Sequence, residues 1–144
     1  MDRHLTELRR VRTLIESKLR AGGGHTSIPL LKDGAFTATL AHDGVIVDKL
    51  SNQPLLPWLA FEEAVRCMQR NGGRASRGDA MQSRLGDHGL LIDTIEGHVA
   101  HVVYGKQSGE SVFRRITPIA CILIWSGVCE AAPGELVLIE RRLL

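Results

Sequence analysis

Apolar residues recur every three or four positions at the start of the chain: Leu5, Leu8, Val11, Leu14, Ile15 and Leu19. That spacing predicts an amphipathic helix over roughly residues 3–20, with arginines on its outer face. Gly22, Gly23 and Gly24 end it and read as a flexible hinge. Two placements are open to this helix. It can pack on its own domain, or its narrow stripe can pair with a copy of itself.

The period then changes. Ala35 to Leu40 and Val45 to Leu50 are β-rich runs on either side of Ala41-His-Asp-Gly, and Asp43-Gly44 is a hairpin signal. Strands are expected near 35–41 and 45–50, with Ser51 to Pro57 as a loop. Helical spacing returns in Trp58, Phe61, Ala64, Val65 and Met68, with Pro57 suited to the first turn and Asn71-Gly72-Gly73 closing the end. Residues 72–89 are irregular, and a short helix from Asp79 to Leu85 is predicted among them.

The last third reads as helices followed by a hairpin. Asp93 and Glu96 have capping-box spacing ahead of a run whose buried face is Ile95, Val99, Val102 and Val103, and Gly105 ends it. A second helix is expected from Glu110 to Ile116, with Val112, Phe113 and Ile116 inward. Thr117-Pro118 then reads as N-cap and first helical position of a third helix, ending at Ser126-Gly127. A variant joins the two as one helix, Glu110–Ser126, kinked at Pro118. Val128 to Glu130 and Glu135 to Glu140 flank Ala131-Ala-Pro-Gly, a second hairpin. There is no internal repeat, low-complexity tract or long linker.

Composition bounds what these elements build. The 144 residues are 44% apolar and 24% charged, the balance of a globular protein. A chain of this length buries about 70% of its unfolded surface and needs no disulfide or metal to hold it together. The longest apolar stretch, Ile116 to Cys129, is interrupted and falls short of the ~20 residues of a membrane span, so no membrane partner is expected. The start, Met-Asp-Arg-His, is charged and lacks the apolar segment of a secretory signal, which points to the cytoplasm. Cys67, Cys121 and Cys129 are odd in number and lack paired spacing, which argues against a disulfide framework; Cys67 and Cys121 read as packed thiols.

The net charge of +2 and pI near 8.6 are only mildly basic. Its distribution says more. Arg3, Arg9, Arg10, Arg12, Lys18 and Arg20 fill the first segment; Arg66, Arg70, Arg74, Arg77 and Arg84 form a second group, and Arg114 with Arg115 a third. Arginine suits bidentate contact with phosphate or carboxylate better than lysine does.

Two resemblances add to this reading. The helix order, the Trp125-Ser-Gly-Val-Cys exit and the two-stranded wing make residues 93–140 resemble a winged helix-turn-helix domain, which implies a DNA- or protein-binding role. Residues 36–78 resemble the small α/β domains attached to restriction enzymes and adenine methylases (RAMA domains). The likeness lies in Ala-Thr-Leu-x-x-Asp-Gly-Val-Ile at 38–46, the Ala-containing helix and Asn71-Gly72. Gly73-Arg74 stands where that family carries aromatic residues.

The candidate chemistry follows from the arginines. The apolar run Pro118-Ile-Ala-Cys-Ile-Leu-Ile-Trp-Ser carries no Arg, Lys, Asn or Gln to read base edges. Nucleic-acid contact therefore falls to Arg114, Arg115, Lys106 and Gln107, to Arg141 and Arg142, and to Arg74 and Arg77 in the glycine-rich loop Asn71–Asp79. These would be mainly phosphate contacts, which position without reading sequence. The loop's exposed amides can cradle a phosphate, although it lacks P-loop spacing. His98 and His101, at i, i+3 near Asp93 and Glu96, are the metal candidates, without His-Glu-x-x-His spacing. There is no Gly-x-Ser-x-Gly elbow and no nucleophile beside a base, and Tyr104 is placed for a local hydrogen bond. Leu14 and Ile122 are the candidate homo-oligomer contacts.

The sequence thus predicts an α+β protein: an N-terminal helix with its hinge (1–24), a hairpin-plus-helix unit (25–90) and a winged-helix-like unit (91–144), possibly on one shared core. The expected function is a non-catalytic binding module, nucleic-acid associated through arginine–phosphate contacts, with no cofactor. The alternatives are a protein-interaction subunit forming homo-oligomers and a small metal-dependent enzyme using the Asp93–His101 segment.

Overall fold

Helix α1 (Arg3–Ala21) begins the structure, a computed structural model that describes residues 3–50 and 53–139, with side chains from residue 9 onward. Val11, Ile15 and Leu19 stand one turn apart and are fully buried, which commits the helix to its own core. Leu14 is half-buried against the same core. Arg12, Glu16 and Arg20 form an i, i+4 ladder on the outer face. Two cations pin the helix from the side: Arg12 lies 5.0 Å from the centre of the Trp58 ring and Lys18 4.7 Å from that of Trp125.

The three glycines after α1 form a cap, where a loose hinge was expected. Gly23 and Gly24 adopt φ of 83° and 91°, and the Gly24 N–H donates to the Leu19 carbonyl at 2.8 Å. The chain passes directly into β1 (His25–Pro29), which pairs antiparallel with β2 (Ala35–Leu40). β2 pairs with β3 (Gly44–Val47) and β3 with β4 (Leu55–Pro57), giving a four-stranded meander in chain order. The Asp43-Gly44 hairpin forms as the pattern predicts, with Leu40 opposite Val45. Ile28, Phe36, Ala38, Val45, Val47 and Leu56 supply the buried face. Strand β4 lies in the segment read as a loop, and Gly44 is required beside it: a Cβ there would stand 2.0 Å from the Leu56 carbonyl oxygen.

Helix α2 (Trp58–Arg70) is the central element. Pro57 is its N-cap, one position before the first turn, and eight of its residues are buried, among them Phe61, Met68 and the carboxylate Glu63. It ends at Asn71, whose side-chain amide donates to the Cys67 carbonyl at 2.8 Å. Strand β5 (Arg74–Ser76) follows where only irregular chain was expected. The predicted helix at 79–85 is absent. Asp79 Oδ1 instead accepts from the N–H groups of Met81 and Gln82, closing a turn, and Leu85 exchanges backbone hydrogen bonds with Gly109 and Glu110. A single 3₁₀ turn spans His88–Leu90.

Helix α3 (Ile95–Val102) starts at Thr94, whose Oγ1 accepts from the Gly97 N–H at 3.1 Å. The cap is therefore Thr94, and the expected Asp93–Glu96 capping box is not formed. Ile95 and Val99 are buried as predicted, but Val102 is 47% exposed. Residues 110–115, predicted as a helix, form no regular secondary structure; at their start the Glu110 carbonyl accepts from the Leu85 N–H, tying the chain to a distant segment. Val112 is still inward, in a small cluster with Leu85, Leu90 and Ala100, while Phe113 is exposed.

Helix α4 (Ile116–Trp125) begins two residues earlier than Thr117-Pro118 suggests, with Arg115 as N-cap and Pro118 at the third helical position. It is buried from Pro118 to Leu123. Ile122, expected at an oligomer contact, is 0% exposed inside the chain's own core. Strands β6 (Cys129–Ala132) and β7 (Glu135–Leu138) form the predicted second hairpin, and β5 joins its free side in the order β5-β7-β6. The fold is α+β. One continuous core draws on α1, both sheets, α2, α3 and α4, so the expected division near residue 90 marks no break in packing. Among the described residues no helix is long and apolar enough to cross a membrane.

Candidate anion-binding cavity

Two of the sequence candidates, Arg77 and Arg114, line the same cavity. It has a volume of about 590 Å³ and is walled by four segments: the β1–β2 connection (30–33), the chain after β5 (76–79), the approach to and first turns of α4 (114–120), and the β6–β7 turn at Gly134, with Gly89 beside them. Lys32 and Asp33 face it from the first of these segments. A smaller cavity of about 220 Å³, lined by Phe36, Leu50 and Pro118 among others, shares Leu30, Arg114 and Thr117 with it.

The backbone under Arg77 is tightly held. Its N–H donates to the Gly134 carbonyl at 2.9 Å, and its own carbonyl accepts from the Glu96 N–H at 3.0 Å. The next residue must be glycine: Gly78 has a φ of 84°, and a Cβ there would meet Thr94 Oγ1 at 2.8 Å. Glu96 also fixes the second arginine segment. Its carboxylate Oε1 accepts from the N–H groups of Arg115 (2.9 Å) and Ile116 (3.3 Å), at the start of α4. One buried residue thus ties the Arg77 loop, through its backbone, to the Arg114 segment, through its side chain. Burial pushes the Glu96 carboxyl up to about 6, against the pull of these two N–H groups and of the Arg115 and Arg114 charges.

The cavity holds three cations and two carboxylates. Asp79 already accepts two turn N–H groups. Arg77 makes no side-chain hydrogen bond or ion pair with the described residues, and Arg114 donates only to the thioether of Met81, a residue that is 68% exposed. Both guanidiniums therefore keep their capacity for bidentate contact with an anion.

The other candidates lie elsewhere. Arg115 is 4% exposed and cannot reach a ligand on the surface. Its guanidinium lies 3.6 Å from the centre of the Tyr104 ring and 4.9 Å from that of Phe113, and bonds Gln53 Oε1 and the Phe113 carbonyl. Tyr104 packs under it by its ring; the Tyr104 hydroxyl and Arg115 Nε are buried without a hydrogen-bond partner among the described residues. Arg74 is exposed but paired in bidentate fashion with Glu135 across β5 and β7, at 3.1 and 3.0 Å. Lys106 is half-buried, its carbonyl bonded to His101 Nδ1 at 2.8 Å. Arg141 and Arg142 lie outside the described residues.

The histidines are not brought together. His98 is 2% exposed at the α2–α3 contact, where Nδ1 meets Arg70 at 2.8 Å and Nε2 meets Glu63 Oε1 at 2.9 Å. An arginine can only donate, so Nδ1 accepts and Nε2 carries the proton given to Glu63. Both ring nitrogens are occupied, and among the described residues no cluster of three His, Cys, Asp or Glu could hold a metal. The cysteines are free and buried, and burial pushes the Cys67 thiol up to about 11 and the Cys129 thiol up to about 12.

Sequence reasoning missed Lys32, Asp33 and Thr117 in this site, and no local pattern marks them. Compared with protein-family models, with curated proteins and with solved structures, the chain finds no significant match in any of the three.

Proposed function

We propose that this chain is a non-catalytic binding module that contacts nucleic acid through phosphate, with Arg77 and Arg114 as the principal contacts and Lys32 in support. One observation carries the reading. Arg77 and Arg114 come from separate basic segments of the sequence, converge on one cavity, and have no ion pair with the described residues. Arg74, by contrast, is already paired with Glu135. Phosphate contact of this kind supplies affinity without sequence preference, and that affinity falls steeply with salt.

Fluorescence anisotropy with labelled single- and double-stranded oligonucleotides, at low and at physiological salt, tests the proposal. The expected result is salt-sensitive binding that Arg77→Ala with Arg114→Ala abolishes. Arg74→Ala, which removes an already paired charge, is expected to change affinity much less. Binding unaffected by the double change, or none at low salt, would overturn the reading.

A further inference from the structure

We infer that the Arg77–Arg114 cavity accepts a phosphate monoester carrying a flat, largely apolar group: the terminal nucleotide of a strand, or a free mononucleotide. The inference rests on reading this cavity as the phosphate-binding surface and specifies what enters it.

Size comes first. At about 590 Å³ the cavity falls within the range of small-molecule sites, about 300–1,000 Å³. Four chain segments line it, from the β1–β2 connection to the β6–β7 turn, and a single nucleotide fits a space of that size.

Donor count points the same way. A monoester offers three terminal acceptor oxygens, one more than the two of a diester. Arg77, Arg114 and Lys32, set against the carboxylates of Asp33 and Asp79, leave the lining at a net +1 and supply two guanidinium forks and an ammonium to meet those oxygens. The Met81 thioether on Arg114 is a weak neutral acceptor that a phosphate oxygen displaces without loss of an ion pair. Asp79 is occupied by its turn, and Asp33, which has no partner among the described residues, is free to accept from a sugar hydroxyl or a base N–H.

The third observation is the annex. Leu30, Arg114 and Thr117 line both cavities, so the cationic recess opens directly onto the smaller one, whose walls include Lys49 and the small accessible parts of the otherwise buried Phe36, Leu50 and Pro118. A ligand with its phosphate between the arginines can lay a ring into that smaller cavity.

The test uses the full chain and internally labelled oligonucleotides of one sequence: unphosphorylated, 5′-phosphorylated and 3′-phosphorylated. Unlabelled deoxynucleoside monophosphates and inorganic phosphate serve as competitors. A terminal phosphate is expected to tighten binding by about tenfold or more, the scale of one charge-assisted contact. Monophosphates should compete better than inorganic phosphate, and Arg77→Lys or Arg114→Lys, which keep the charge, should weaken the end preference. Phe36→Ala should reduce the advantage of monophosphate over inorganic phosphate, with circular dichroism confirming its fold. Monophosphate binding with no oligonucleotide binding would support the monoester site, name the free nucleotide as its source and overturn the nucleic-acid reading. Equal binding of all three oligonucleotides, lost in Arg77→Ala with Arg114→Ala, would overturn this inference and leave the proposed function standing. Binding of no probe, inorganic phosphate included, would overturn both.

Discussion

At the scale of single residues, two buried ionisable groups bear on stability in opposite directions. Glu96 has a folded pKa of about 6 against an ordinary 4.5. The folded state therefore binds more protons in that window, so the stability this group contributes is present below pH 4.5 and lost as pH rises through 6. The shift corresponds to a loss of about 2 kcal/mol, to order of magnitude. Glu96→Gln keeps an acceptor for the Arg115 and Ile116 N–H groups without a buried charge. It is expected to equal or exceed the parent in stability near neutral pH, while Glu96→Ala, which orphans two N–H groups, costs about 1–3 kcal/mol; denaturant titration of the three proteins reads this directly. His98 behaves the other way. Burial lowers its pKa from 6.5, the Arg70 and Arg66 charges add to the lowering, and Glu63 opposes it. Its stabilising contribution is complete above 6.5 and lost as pH falls below that value. An NMR titration of the His98 ring is expected to give a midpoint below 6.5; one at or above it would mean the Arg70 contact does not persist in solution. The role of Glu96 was hidden in the sequence because Asp93 and Glu96, three apart, have the spacing of a local capping box. Its real partners lie about twenty residues on, at the start of α4, beyond the reach of any local pattern.

Elements were legible to the extent that their own periodicity made them. Helices α1 and α2, the Asp43-Gly44 hairpin and the β6–β7 hairpin each carry a complete signal, in stripe or turn. Strands β1, β4 and β5 do not. β1 has a single fully buried residue, Ile28, while β4 and β5 are three residues each and exist through partners elsewhere in the chain. The segment at 110–115 shows the reverse case, a plausible helical spacing without a helix, its start tied to Leu85 by a long-range backbone hydrogen bond. Helix α4 carries Ile122, a candidate oligomer contact by sequence, inside the chain's own core. Ile122→Ala is accordingly expected to lower stability by about 2–5 kcal/mol through a cavity, with no dissociation of an oligomer. Equilibrium denaturation together with sedimentation measures both; a change in mass with unchanged monomer stability would place Ile122 at an interface instead.

For the whole molecule, the expected hairpin-plus-helix and winged-helix-like units share one core and one sheet. Phe61 on α2, Ile95 and Val99 on α3 and Leu136 on β7 belong to a single cluster, with Trp125 packed against it. A chain of this size with one core should unfold in one step. Tryptophan fluorescence, reporting on Trp58 and Trp125, and far-ultraviolet circular dichroism are expected to give coincident denaturation curves; two separated transitions would restore the division near residue 90. The candidate site is legible only at this scale. Arg77 and Arg114 stood out in the sequence as members of separate basic groups, and nothing short of the assembled fold places them on one cavity with Lys32.

The pairing of β5 with β7 has a consequence for how the protein is made. Translation delivers Arg74–Ser76 long before Glu135–Leu138, and until the later strand emerges from the ribosome the earlier one has no neighbour to complete its ladder. The Arg77 N–H waits likewise for the carbonyl of Gly134. The arginine-lined recess, with Gly134 in its wall, comes into being only after the second hairpin has been released. A nascent chain stalled before Cys129 is therefore a species without the site, however much of its helical content it has already gained.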